Sequence, residues 1–160
     1  MNNSDIHKIL NGMVNKRVLK VNAGGFTGSV FSLDIGSELM RKDKGGQTFF
    51  EGEWVIMVYC AWRLVDTITQ KPITGWHEDS DLNGSMTLGL KSLLDDVIEE
   101  VLLTSFRDIV IIFKSKKVLS VFCDLTTTVD SDTNWFFGAQ GKYYSINNSL
   151  ECVGESDKVI

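Results

Sequence analysis

The stretch 54–65 constrains the fold more than any other part of the sequence. Its apolar residues occupy both alternating sets of positions: Trp54, Ile56, Val58, Cys60 and Trp62 on one, Val55, Met57, Tyr59 and Ala61 on the other. Successive side chains of a strand point to opposite faces, so this pattern indicates a strand that is covered on both sides. The sequence therefore predicts a sheet with a central strand at 54–65.

Shorter apolar segments with turn residues between them predict further strands at 17–21, 28–35, 108–113, 118–124, 133–139 and 142–146. The last four form two hairpins. Helical spacing of apolar residues predicts a helix over 4–15, capped by Ser4, and a short helix over 90–97. The segment 98–104 fits either a helix or a strand. The polar stretch 41–46 reads as a loop, and the tail from Asn147 onward as a polar, frayed end.

These elements predict a β-dominated α+β fold of about eight strands in one domain, 1–160. We expect two related antiparallel β-meanders packed as a sandwich or half-barrel, with one or two short helices. The related halves would be about 4–66 and 90–147, joined by an acidic loop, 67–89. Two similarities support a repeat. The apolar pattern around Leu10 resembles the pattern around Leu93, 83 positions later, and a predicted strand opens with tryptophan in both halves, at Trp54 and, 81 positions later, at Trp135.

Charge distribution argues against a nucleic-acid-binding protein. The net charge is −5; residues 1–75 carry nine basic and seven acidic residues, whereas 76–160 carry seven and fourteen. Phosphate binding favours a basic stripe, and none is visible. No apolar run reaches the roughly 20 residues of a membrane helix, and the N-terminus lacks the pattern of a secretory signal. Three widely spaced cysteines do not suggest a disulfide framework, so we expect a cytoplasmic protein.

Motifs for catalysis or metal binding are incomplete. Asp79, Asp81, Asn83 and Gly84 match the first half of a calcium-binding EF-hand loop, but the closing glutamate position holds Leu90. The ordinary reading of these residues is a polar turn. The histidines, His7 and His77, lie near the N-terminus and in the central loop, and no nucleophile motif accompanies them. We therefore predict no enzyme activity, no catalytic residue, no cofactor and no metal ion.

The acidic segment 78–100 is the most biased part of the chain and, with Trp76 and His77 just before it, the predicted partner-binding surface. Tryptophan is enriched at interface hot spots, and acidic side chains attract basic partners. The alternative is a solvated connector whose acids only maintain solubility. The predicted partner-binding residues are Trp76, His77, Glu78, Asp79, Asp81, Asp95, Asp96, Glu99 and Glu100.

The order of several segments resembles a family of small bacterial proteins encoded beside polymorphic toxins, which includes immunity proteins of contact-dependent growth inhibition systems. The resemblance covers about residues 50–146. It rests on the Cys-Ala-Trp-Arg-Leu segment 60–64, the Ile-Thr-Gly segment 73–75 before an acidic loop, the apolar runs 108–113 and 118–122, and Asn134 with Trp135.

The resemblance implies a binding-only protein that neutralises a cognate toxin domain, for instance a nuclease with a basic surface. It carries over no catalytic residue, and it implies for Arg63 only a structural role as a buried salt-bridge partner. Two alternatives stay open: a small enzyme or ligand-binding β-barrel with a pocket lined by Tyr59, Trp62 and Tyr144, and a structural subunit of a phage or secretion assembly. The oligomeric state and the toxin's identity stay open as well.

Overall fold

A computed structural model of the protein describes residues 1–127 and 132–155. This part of the chain contains eleven strands, more than the eight expected, and two short α-helices. The elements in chain order are α1 (Asn3–Leu10), β1 (Val18–Ala23), β2 (Phe31–Lys42), β3 (Thr48–Val58), β4 (Ala61–Asp66), β5 (Lys71–Gly75), α2 (Ser85–Lys91), β6 (Ile98–Leu103), β7 (Ile109–Phe113), β8 (Lys117–Phe122), β9 (Thr133–Ala139), β10 (Lys142–Asn147) and β11 (Cys152–Glu155).

The strands form two antiparallel sheets, which confirms the predicted β-dominated α+β class. The six-stranded sheet has the order β1-β2-β3-β9-β10-β11, and the five-stranded sheet has the order β5-β4-β8-β7-β6. Neither sheet closes into a barrel. Apolar side chains from both sheets and both helices form one buried cluster, in which the rings of Phe31 and Trp62 meet edge to face at 4.8 Å. Burial of this shared face stabilises the two layers.

The predicted continuous strand at 54–65 is wrong, because the chain changes sheets within it. β3 ends at Val58, β4 begins at Ala61, and the two strands lie in different sheets. The backbone N–H groups of Tyr59 and Cys60 both donate to Asn134 O, which holds the crossing. The inward side chains keep the same alternation before and after it, so the hydrophobic pattern contains no sign of the break.

The predicted helices are shifted in the structure. α1 ends at Leu10 and continues only as a 3₁₀ turn, Asn11–Met13, and its N-cap is Asn2 rather than Ser4, since the Asn2 side chain accepts from Asp5 N. α2 begins at Ser85, not at residue 90, because Met86 and Leu90 lie one turn apart and are both buried. The chain has left the helix by Asp95, whose φ is 66°.

Three segments interpreted as loop, tail or ambiguous structure form strands. Residues 71–75 of the predicted loop 67–89 are β5, which pairs with β4, and the ambiguous segment 98–104 contains β6. Cys152–Glu155 of the predicted polar tail pairs with β10. Edge strands of this kind have one hydrogen-bonded neighbour and one solvated side, so they tolerate polar and glycine residues that weaken a sequence signal. The rest of the tail, 156–160, lies outside the described residues.

The segment that leads into β1 pairs with the segment that leads into β6, and residues 80 positions apart occupy equivalent places in this pairing. Arg17 and Val97 form an antiparallel bridge, and Asn15 and Asp95 both have a φ of 66°. The surrounding hydrogen bonds run from Asn15 N to Ile98 O, from Asp95 N to Val18 O, from Val18 N to Asp96 O and from Ile98 N to Lys16 O. These contacts define a local two-fold arrangement with an offset of 80 rather than the 83 or 81 of the sequence comparison.

Two fully buried tryptophans follow the same arrangement. Trp62 in β4 donates its indole N–H to Ser29 O at 3.0 Å, and Trp135 in β9 donates to Arg107 O at 2.9 Å. Each carbonyl lies just before the second strand of a three-strand run, β1–β3 or β6–β8. Trp135 therefore occupies a place like that of Trp62, not that of Trp54 in β3.

Candidate functional site

The segment between β5 and α2 is an ordered loop rather than a loose connector. Glu78 N donates to Gly75 O, Asp81 N donates to the Asp79 carboxylate, and Met86 N donates to Asp79 O, all at 3.0 Å. A loop held by several internal hydrogen bonds loses little further conformational entropy when a partner binds it. The hydrogen bonds therefore preorganise the surface that the sequence predicted to bind a partner.

Gly84 explains the shape of this loop at its junction with α2. A Cβ atom at this position would lie 2.4 Å from Asp79 O and 2.7 Å from the carboxyl carbon of Asp79. In this EF-hand-like segment, the glycine at position 84 thus allows the backbone to pack closely against Asp79. The Asp79 carboxylate accepts a hydrogen bond from Asp81 N. Over residues 1–127 and 132–155, no group of three His, Cys, Asp or Glu side chains is arranged to hold a metal ion.

A second loop lies against the first and adds apolar groups to it. The 3₁₀ turn Gly25–Thr27, between β1 and β2, is anchored by the Gly25 N–H, which donates to Ser80 O at 2.8 Å. A Cβ on Gly25 would lie 3.3 Å from the Leu82 side chain, so the two loops are in contact. The Phe26 side chain is fully exposed at the tip of this turn, and Leu82 is largely exposed.

We call these two loops the acidic loop surface. It is formed by the exposed apolar residues Phe26, Trp76 and Leu82 and the exposed polar residues His77, Glu78, Asp79 and Asp81. The rings of Trp76 and His77 are 4.1 Å apart, so the histidine is held against the indole. The sequence analysis missed Phe26 and Leu82. The available signal was a phenylalanine in a glycine-rich turn, outside the predicted strands.

The second group of predicted binding residues, from Asp95 to Glu100, lies elsewhere and is partly engaged within the protein. Asp95 lies 3.7 Å from Arg17, Asp96 accepts hydrogen bonds from Val97 N and the Ser115 hydroxyl, and Glu99 forms a 2.7 Å ion pair with Lys116. Glu100 is exposed on β6. Asp96 therefore has a structural role, since its carboxylate ties the start of β6 to the turn before β8.

The two acidic groups flank opposite ends of β1. Ser80 of the acidic loop surface contacts Gly25, which follows the end of this strand, whereas Asp95 N bonds to Val18 O at its beginning. A strand rises about 3.3 Å per residue, so the six residues of β1 separate the groups by roughly 17 Å. The structure therefore does not join the predicted residues into one continuous acidic patch.

The pocket predicted around Tyr59, Trp62 and Tyr144 does not form as a common site. Trp62 is buried in the core, and the Tyr144 ring stacks on Phe137 at 5.0 Å. Tyr59 is exposed where the chain changes sheets, and its hydroxyl contacts the Met57 sulfur. Trp62 and Tyr144 thus pack within the protein, and Tyr59 lies at the surface where the chain changes sheets. The three side chains do not line one ligand cavity.

The cysteines are free thiols, and two of them are poor nucleophiles. Burial raises the pKa of Cys60 and of Cys123 to about 12 in each case, with nearby acidic groups adding to the effect. Since the thiolate is the reactive form, both side chains behave as small apolar residues at neutral pH.

The fold defines a two-sheet antiparallel α+β protein. A scan against protein-family models found no match, and searches of curated proteins and of solved structures found no significant match. Within the described residues, neither helix has the length and apolar character needed to cross a membrane. Function is therefore inferred from the residues and their geometry.

Proposed function

We propose that this protein is an immunity-type inhibitor, which binds and neutralises a cognate bacterial toxin domain through the acidic loop surface. The observation that carries the proposal is the combination of exposed aromatic and aliphatic groups with carboxylates on a loop pair that is already ordered. Large apolar side chains supply most of the energy at protein interfaces, and the surrounding charges select the partner.

The charge of the chain fits a basic partner. Residues 76–160 carry seven basic and fourteen acidic residues, and Glu78, Asp79 and Asp81 are all exposed. An acidic surface raises the rate of encounter with a basic protein, and this effect weakens as salt is added. A toxin that cleaves nucleic acid would present such a basic surface. The proposed inhibitor would act in the cytoplasm of the producing cell, where its free thiols would stay reduced.

The contribution of charge is tested by association kinetics with the purified product of the adjacent gene, which the proposal identifies as the toxin. Replacing Glu78 and Asp81 together by lysine should slow association at least tenfold at low salt, because two attractive charges become repulsive. Neither side chain is buried, so the variant should stay folded. Glu38→Lys, at an exposed position on β2, is the matched control and should associate within about twofold of the wild type. Equal low-salt rates for the double variant and the wild type would contradict the proposed surface.

The apolar contribution is tested by dissociation. Phe26→Ser should accelerate dissociation at least tenfold while leaving the free energy of unfolding unchanged, because the ring makes no buried contact in the free protein. Ile68→Ser removes another exposed apolar side chain, in the turn between β4 and β5, and should leave dissociation unchanged. Identical dissociation rates for Phe26→Ser and Ile68→Ser would remove Phe26 from the interface.

A further inference from the structure

The outer face of the six-stranded sheet carries an open cleft of about 270 Å³ that no sequence pattern indicated. Its floor consists of side chains that point away from the core: Lys20, Asn22, Ser32, Asp34, Val55, Met57, Phe136 and Tyr143. Its wall is the start of β3, where Phe49, Phe50 and Glu51 lean over this face. The cleft shares no lining residue with the acidic loop surface.

A bulge in the β2–β3 hairpin makes this wall. Ile35 pairs with Trp54, but the next pair is Glu38 with Gly52, so two residues of β2 oppose one of β3. Gly36 in the bulge has a φ of 88°, a conformation that favours glycine. A bulge bends the strand and increases its twist, which directs the end of the hairpin across the sheet face instead of away from it.

Asp34 is the unusual residue of the cleft. It is only 5% exposed, yet it lines the cleft, and its carboxylate accepts one hydrogen bond, from Gly52 N at 3.0 Å. Burial raises its pKa, which the Gly52 hydrogen bond and the charge of Lys20 only partly offset, while Glu51 and Glu38 raise it further. Within the described residues, no lysine or arginine nitrogen lies within 4 Å of this carboxylate. A buried carboxylate without a close cation carries an unrecovered desolvation cost.

The other acidic group of the cleft already has partners. Glu51 accepts from Arg41 Nε at 3.0 Å and from the Tyr143 hydroxyl at 2.5 Å. Tyr143 is held in place as well, since its ring stacks on Phe136 at 5.8 Å with an interplanar angle of 13°. Gly138 leaves the space for this ring, because a Cβ there would lie 2.8 Å from it. Asp34 is thus the carboxylate available to a ligand, beside fixed aromatic surfaces.

The five-stranded sheet provides an internal comparison that lacks these features. Reading across the six-stranded sheet, the row of paired residues is Lys20, Asp34, Val55, Gly138 and Tyr143. The row in the corresponding place on the other sheet is Glu100, Ile112, Val118, Val65 and Pro72. Ile112 therefore stands where the first sheet has Asp34, and the short β7–β8 hairpin has no arm to form a wall. The carboxylate is not required by this sheet architecture.

We propose that the cleft binds an organic cation: an ammonium or guanidinium group on an apolar chain, with the cation at Asp34 and the chain against Phe136 and Tyr143. A bound cation would give this buried carboxylate the close opposite charge that it lacks. The faces of the aromatic rings would attract the same cation. The shared chemistry has two sources, a free amine or guanidine and the basic side chain of a protein. The inference is independent of the proposed inhibitor function, and either can fail alone.

The test is an NMR titration of the wild-type protein with benzylamine and with benzyl alcohol, its neutral counterpart, following the amide signals of Gly52 and Gly138. Benzylamine should bind at least tenfold more tightly, and its affinity should rise as the pH rises through the pKa of Asp34, because the carboxylate must ionise. Lys20, Glu38, Glu51 and Arg41 are the other charged groups near this site. Equal affinities for the two probes would overturn the proposal.

Three variants sharpen the test. Asp34→Asn should weaken benzylamine binding at least tenfold, Lys20→Met should strengthen it by removing a like charge, and Glu100→Gln, an exposed carboxylate of the other sheet, should not change it. Retained affinity in a folded Asp34→Asn protein would overturn the proposal. Tighter binding of Nα-acetyl-arginine amide than of benzylamine would assign the cleft to a protein's basic side chain, and the reverse order to a free amine.

Discussion

Gly52 lies beside the bulge of β2, where the backbones of β2 and β3 approach closely, and Gly52→Ala tests that close approach. A Cβ at this position would lie 2.5 Å from Ile35 N, 2.8 Å from Ile35 O and 2.9 Å from Trp54 O. Ordinary contacts begin near 3.4 Å, so β2 would have to move about 0.9 Å away from β3 to relieve the contact with Ile35 N, and the contact with Trp54 O, in β3 itself, would remain. The crowding atoms belong to the backbone, so a change of side-chain rotamer cannot relieve the clash.

The expected cost follows from two effects. Overpacking of this kind typically costs about 1–3 kcal/mol. Separation of the strands also stretches the hydrogen bond from Gly52 N to the buried Asp34 carboxylate, and an unsatisfied buried group costs about 1–3 kcal/mol. The lower chain entropy of alanine in the unfolded state returns about 0.4–1 kcal/mol. We expect a net loss of about 2–4 kcal/mol, or roughly 5–15 °C in Tm for a chain of this size.

Urea and thermal unfolding followed by circular dichroism measure this loss. Gly45→Ala in the same hairpin is the matched control, because its Cβ would meet a single side-chain atom, the Asp43 carboxylate oxygen at 3.3 Å, rather than backbone. That control should stay within about 0.5 kcal/mol of the wild type. If Gly52→Ala were as stable as Gly45→Ala, the close approach of β2 and β3 would not require glycine at position 52, and the reasoning from these contacts would be wrong.

Three further predictions concern buried groups. Trp62→Phe and Trp135→Phe should each lower the free energy of unfolding by about 1–3 kcal/mol, because each leaves a small cavity and a backbone carbonyl without its hydrogen-bond donor. A negligible cost for both variants would contradict the assigned hydrogen bonds. Cys60 should react with a thiol reagent at pH 8 at least about 100-fold more slowly in the native protein than in urea, given its pKa of about 12. Asp34 binds its proton more tightly in the folded than in the unfolded state, so the stability that its protonated form contributes should be lost as the pH rises from the unfolded pKa of about 3.9 through the higher native pKa. Asp34→Asn should reduce this dependence of the unfolding free energy on pH. An unchanged pH profile in urea unfolding would refute the assignment.

The sequence predicted the elements whose neighbours lie close along the chain. The hairpins β7–β8 and β9–β10 were correctly placed, because each consists of two apolar runs around a short polar turn. The break at Tyr59 was not predictable from periodicity, since its cause is a hydrogen-bond acceptor on Asn134, which lies 75 positions away. Long-range partners of this kind leave no mark in a local window.

The same distinction applies to the two surfaces. The acidic segment was visible in composition, but the contact between Gly25 and Ser80, which brings Phe26 beside it, was not. The cleft had no local signal, because Ser32 and Asp34 alternate with apolar residues as the outward side chains of a half-buried strand do. Its wall and its aromatic side depend on the bulge and on a hydrogen bond between Tyr143 and Glu51, 92 residues apart. Only the fold joins those parts.

The most direct test of the proposed function is growth of cells that produce the protein encoded by the adjacent gene, which the proposal identifies as the toxin, with and without this protein. The wild-type protein should restore growth. The variant that combines Phe26→Ser with lysine at positions 78 and 81 should fail to do so at equal expression, while Glu38→Lys should protect fully. Growth arrest that persists with the wild-type protein present at the same level as the toxin would contradict the inhibitor function.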